Sequence, residues 1–172
     1  ANYLKGEELK MEFVGKSLPP SSIKRWDETS PTHRIEKATE ELENLLDELT
    51  SDVASGMASP QHWEMVKALE QTSLELYNES VQQLGNERHL LLIPVLLIHL
   101  EACALVQKAP SMAESVQLGI LTRQVLTAKQ LLPLQSAFHG PDHFDLARTY
   151  LDLANATGEL LSRSSKRLYE LN

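Results

Sequence analysis

From Ser30 to Leu171 apolar side chains return every three or four residues, and each such run is bounded by Ser-Pro, Gly or polar breaks. That spacing puts the apolar residues on one side of a helix and nowhere coherent on a strand. The first run carries Ile35, Ala38, Leu42, Leu45, Leu46, Leu49 and Val53 on one stripe. Glu36, Glu40, Glu41, Glu43, Asp47 and Glu48 cover its other faces as a solvated surface, and Gly56 closes it. A stripe of this width must be buried against another element, so the chain is committed to helix-on-helix packing.

The same reading extends to the C-terminus. Ser30-Pro31 and Ser59-Pro60 each look like a cap followed by proline in the first turn, where a missing N–H costs nothing. Trp63, Val66, Leu69, Leu76, Tyr77, Val81 and Leu84 form a second stripe ending at Gly85. A third helix opens at Asn86 and is apolar around most of its circumference through Leu105, which places it centrally; Pro94 implies a kink or a start nearby. Ser111-Met112-Ala113-Glu114 has the spacing of a capping box before a fourth helix, in which Pro133 sits late. The fifth begins near Asp142. There Leu146, Ala147, Tyr150, Leu153 and Ala154 share a stripe, with alanines where a neighbouring helix could pack closely. The fold expected is all-α: an antiparallel bundle of about five helices over residues 30–172.

Residues 1–29 differ. Leu9-Lys10-Met11-Glu12-Phe13-Val14 alternates as a half-buried strand does, and Leu18-Pro19-Pro20-Ser21-Ser22 breaks regular structure, so a short extended arm is expected there. A single strand is unstable alone, which implies partner strands from elsewhere.

Composition narrows the function. With 24 acidic and 16 basic side chains the net charge is −8, which disfavours non-specific nucleic-acid binding because that depends on neutralising phosphates. The apolar run from Leu90 to Leu100 is too short to span a bilayer, and no secretory leader is evident, so cytoplasmic or nuclear residence is expected. Cys103 is the single cysteine and reads as a buried structural thiol. His99 lies one helical turn before it, yet nothing in the sequence supplies an oxyanion hole or a substrate pocket, so no catalytic residue is assigned. His139 and His143 flank Gly140-Pro141, which forbids a continuous helix between them; they read as a capped turn, and no metal ligands are assigned.

The turn His139-Gly140-Pro141-Asp142-His143 followed by Asp145-Leu146-Ala147 resembles a tetratricopeptide-like unit. Units of that kind stack into arrays that offer a groove to another protein. On the helix after this turn Arg148, Asp152 and Asn155 share a face opposite Leu146, Tyr150 and Leu153, and are the candidate partner-binding residues for a protein or peptide. Lys5-Gly6-Glu7-Glu8-Leu9 with Lys10-Met11-Glu12-Phe13 resembles the last strand segment of SET-domain lysine methyltransferases. The two likenesses in this order are similar to the SET- and MYND-containing subgroup. That resemblance implies a C-terminal lobe restricting access to an active-site cleft, with S-adenosylmethionine bound by residues outside this chain, which itself holds no cofactor. It also implies that Phe13 stands where the family has a lysine-channel tyrosine, able to line an apolar channel but not to hydrogen-bond an amine. No cysteine falls in residues 15–35, where the family's zinc segment would lie.

Overall fold

Where proline and glycine fall decides where each helix begins and ends. The computed structural model describes residues 30–170, and within them five helices run in order: α1 (Pro31–Ala54), α2 (Pro60–Leu84), α3 (Leu92–Val106), α4 (Glu114–His139) and α5 (Phe144–Glu170). The expected extended arm, with Phe13, lies outside the described residues. Both Ser-Pro starts open helices, but only Ser59 caps with its side chain. Its Oγ accepts from the His62 N–H while its own N–H donates to His62 Nδ1 at 3.0 Å, a capping box in which imidazole replaces the usual carboxylate. Gly85 ends α2 with φ +62°, the left-handed conformation a side chain resists.

Of the two readings of the third helix, the start near Pro94 holds: α3 begins at Leu92 rather than Asn86, whose Oδ1 instead accepts from the Arg88 N–H in a tight turn. An earlier start would bury Pro94 inside the helix, where its absent N–H breaks the ladder; at Leu92 it falls in the first turn. The Ser111–Glu114 capping box does not form. Ser111 adopts φ +58°, and α4 starts at Glu114 with Ala113 before it and no side-chain cap.

Consecutive helices pack on each other, and α1 also meets α3. Short connections between them make the neighbours antiparallel. α3 is central, as expected: Leu92, Val95, Leu96, Ala102, Cys103 and Val106 are all but inaccessible. Leu46 and Leu49 of α1 join Val66 and Leu69 of α2 on one side of it, while Leu131 and Leu134 of α4 close another. Each such leucine contributes roughly 1.5–3 kcal/mol by leaving water. Among the described residues no helix is long and apolar enough to cross a membrane.

The stripe expected on α5 splits. Leu146, Thr149, Leu153 and Ala156 turn towards α4, but Ala147, Tyr150 and Ala154 face outward. Among the described helices α5 comes close along its backbone to α4 alone, and one neighbour covers only about 100° of a helix. Thr149 tolerates the inward place because its hydroxyl donates to the Asp145 carbonyl at 3.0 Å. Replacing Gly85 with alanine should lower unfolding stability by about 1 kcal/mol, because only the left-handed backbone is penalised and no atom lies within 4 Å of the added Cβ. Urea titration should show a lower midpoint at unchanged slope.

Candidate functional site

Glu70 sits at an inward register position of α2, between Val66, Ser73 and Tyr77, and is 6% exposed. A buried carboxylate is tolerated only when its lone pairs are occupied. Two other helices supply the partners. From α3, His99 Nε2–H donates to Glu70 Oε1 at 3.1 Å. From α4, Arg123 grips both oxygens, Nε at 2.6 Å and a terminal nitrogen at 3.1 Å, in the bidentate manner that suits guanidinium. Thr127 Oγ lies 2.8 Å from His99 Nδ1 and fixes the ring. Cys103 Sγ lies 3.8 Å from Glu70 Oε1 and 3.7 Å from His99 Nε2. Burial alone would raise the Glu70 pKa, but the His99 and Arg123 donors together outweigh it and bring it from 4.5 to about 2.

Glu70 Oε1, His99 Nε2 and Cys103 Sγ lie within 4.8 Å of one another, a donor set that zinc accepts. Two features oppose that use. Arg123 already places a cation on the same carboxylate, and burial, reinforced by the Glu70 charge, pushes the Cys103 thiol up, whereas a zinc ligand must be thiolate. The same protonated thiol is a poor nucleophile. The cluster acts as a tie between α2, α3 and α4.

The candidate binding residues lie elsewhere, on a trough between α3 and α5 floored by α4. Asn155 lines it from α5, and Asp152 and Arg148 lie about one and two turns earlier on the same helix. Arg148 reaches across to Glu101 of α3 at 3.4 Å. Beyond that bridge lies a shallow, open recess of about 320 Å³ whose lining includes Ala104 and Gln107 of α3, Gln124 of α4, and Asn155, Glu159 and Arg163 of α5. Arg163 is held in place by Glu159 and by the Gln117 side-chain oxygen. Gln124 is 9% exposed, and its Oε1 has no hydrogen-bond partner. An unpaired buried acceptor costs about 1–3 kcal/mol. At the bridge the charge is acidic: desolvation raises the Glu101 pKa, and although Arg148 opposes this, Asp152, Asp47 and Glu43 add to it. Asp152 is raised by desolvation too, again against Arg148.

Of the three residues singled out from sequence, Asn155 lines the recess, while Arg148 and Asp152 lie beside Glu101. Glu101, Gln107, Gln124, Glu159 and Arg163 escaped that reading, because only packing brings α3 and α4 beside them. His143 behaves as the expected cap, its Nδ1 accepting the Asp145 N–H at 3.2 Å. Comparison with known protein families, with curated proteins and with solved structures finds no match for this chain.

Because the Glu70 pKa is depressed on folding, its contribution is complete above pH 4.5 and is lost as pH falls towards 2. The whole effect is on the order of 3 kcal/mol. Urea midpoints measured across that window should fall steeply for the native chain and remain much flatter for Glu70→Gln. Added zinc should leave the melting temperature of the native chain unchanged.

Proposed function

We propose that this chain is a helical interaction module of tetratricopeptide-like type, whose α3–α5 trough receives an extended segment of a protein partner with at least one basic side chain. The Arg148–Glu101 bridge carries the reading, because a guanidinium already seats on this acidic strip and a partner's basic side chain can take its place. Asn155 and Gln107 offer carboxamides on the two walls. A carboxamide pairs well with a peptide unit, since each has one acceptor and N–H donors in a similar plane. Glu101 and Asp152, both made harder to ionise by desolvation, gain most from a cation on the partner. The net charge of −8 also favours the approach of a basic segment.

An array of peptides, each probed with the purified chain and then titrated calorimetrically, tests this. Binders should be enriched in Lys and Arg. Asn155→Ala should weaken them about tenfold, the equivalent of one good hydrogen bond. Glu101→Lys should weaken them further, with helical content intact. Since a bound cation favours the ionised carboxylates, and burial raises the Glu101 and Asp152 pKa values above their ordinary 4.5 and 3.8, affinity should fall as pH is lowered towards that range. Peptide binding that ignores both substitutions contradicts the assignment, as does an array without binders.

A second reading follows from the likeness of residues 5–13 and 139–147 to the SET- and MYND-containing enzymes: the helices would be a lobe flanking a methyltransferase cleft. The turn leading directly into α5 fits that order. S-adenosylmethionine-dependent methylation of lysine peptides by the full gene product supports it, and inactivity under the same conditions speaks against it.

A further inference from the structure

The cap that opens α2 reaches further than a cap needs to. Ser59 Oγ lies 2.7 Å from His62 Nδ1, and the far nitrogen of the same ring, Nε2, lies 3.2 Å from Asp52 Oδ2 near the end of α1. Asp52 accepts from Nε2–H, which leaves the Nδ1 lone pair to accept the Ser59 hydroxyl proton. Capping α2 uses Nδ1 and the Ser59 oxygen. It does not call for a carboxylate on the other side of the ring. Hydroxyl, imidazole and carboxylate in hydrogen-bonded series are the parts of a nucleophile activated by an oriented base. The ring nitrogens exchange the places they have in serine proteases, which leaves the roles unchanged.

Access separates this series from its counterpart in the core. Thr127, His99 and Glu70 repeat the order, but Thr127 is 3% exposed and beyond the reach of a substrate. The His62 and Asp52 side chains are 33% and 30% exposed, and Ser59 is half-buried. Beginning at the neighbouring Pro60, a cavity of about 220 Å³ opens between α2 and the α3–α4 connection, with Trp63, Pro110 and Met112 in its lining. Its two charged lining residues, Glu64 and Lys67, pair at 2.7 Å, so it suits a neutral apolar group. The first backbone N–H groups of a helix have no partner within it. Pro60 has none to offer, so Gln61 supplies the first, aimed as usual at the cap side chain and placed for an oxyanion formed there.

We infer that Ser59, His62 and Asp52 form a hydrolytic site for carboxylic esters of short apolar acids. The Ser59 oxygen attacks the ester carbon while its proton passes to His62 Nδ1, and Asp52 holds the ring and balances its new charge. The carbonyl oxygen, now an oxyanion, accepts from the Gln61 N–H. On collapse the bond to the alkoxy oxygen breaks and the alcohol leaves with the proton from Nδ1. The acyl group stays on Ser59 with its apolar tail in the cavity. Water then attacks the same carbon, giving a proton to Nδ1; the acid departs and Nδ1 returns that proton to Ser59. Ser59 and His62 are the catalytic residues, and Asp52 is a positioning residue. None of the three lines the α3–α5 recess, so ester hydrolysis and peptide binding are separable.

Hydrolysis of p-nitrophenyl butyrate by the purified chain, with the buffer rate subtracted, tests this. The native chain should turn the ester over, and mass spectrometry after a brief reaction should find the butyryl group on Ser59. Two substitutions keep the cap and therefore the fold: asparagine caps as well as serine does, and glutamine is at home in the third position of a capping box. Ser59→Asn should abolish turnover. His62→Gln should lower kcat about a hundredfold, the usual scale of a general base. Both should retain the native helical circular dichroism. Asp52→Asn should lower kcat at unchanged KM, and Asp52→Glu should restore part of it. A native rate equal to that of buffer overturns the assignment. So does turnover that survives Ser59→Asn, or a butyryl group found on another residue. Full activity in Asp52→Asn overturns the role given to Asp52.

Discussion

A single buried carboxylate decides how the middle of this molecule is assembled. Glu70 leaves water at a cost of several kcal/mol unless it is matched, and the match comes only from α3 and α4 in their observed positions. Hydrophobic burial drives the five helices together but is tolerant of sliding and rotation. The fork of Arg123 and the ring of His99 are not. A helix rotated by one residue would keep much of its apolar contact and lose these hydrogen bonds. Apolar residues of the same volume could give equal or greater stability, so the network's contribution lies in selecting one arrangement.

That arrangement has consequences at the surface. α3 is surrounded along most of its length, and its remaining strip, around Glu101 and Ala104, forms one wall of the trough. Arg123 and Thr127, which hold α4 to the network, lie within one turn of Gln124 on the trough floor. The tie in the core and the half-hidden carboxamide of the trough floor therefore belong to the same stretch of α4. Rigidity there would serve the proposed binding, since a preformed site does not lose ordering entropy when a partner arrives.

Much of the helical order was legible in the sequence because proline and glycine act locally. Ser59-Pro60, Gly85 and Gly140 mark boundaries that tertiary contacts do not move. The exceptions are equally physical. Asn86 looked like a helix start, but Pro94 downstream set the first turn. Ser111 had the spacing of a cap, yet its positive φ took it out of the helix. The α5 stripe contained more apolar positions than α4 can cover, and sequence alone does not say which half goes inside. The Glu70–Arg123 pair spans 53 positions, so no local pattern reveals it; a charged residue at an inward register position was the only trace. Arg148, Asp152 and Asn155 could be placed on one face because they share a helix, whereas their neighbours on α3 and α4 needed the packing.

A double-mutant cycle between Glu70 and Arg123 bears most directly on the view that one carboxylate locks three helices. Unfolding free energies of Glu70→Ala, Arg123→Ala and the double variant should give a coupling of about 1.5–3 kcal/mol, as expected for hydrogen bonds to a charged group. Each single variant should also lose protection from amide exchange in both α2 and α4. Additive energies, with exchange altered only in the helix that carries the substitution, would contradict the account.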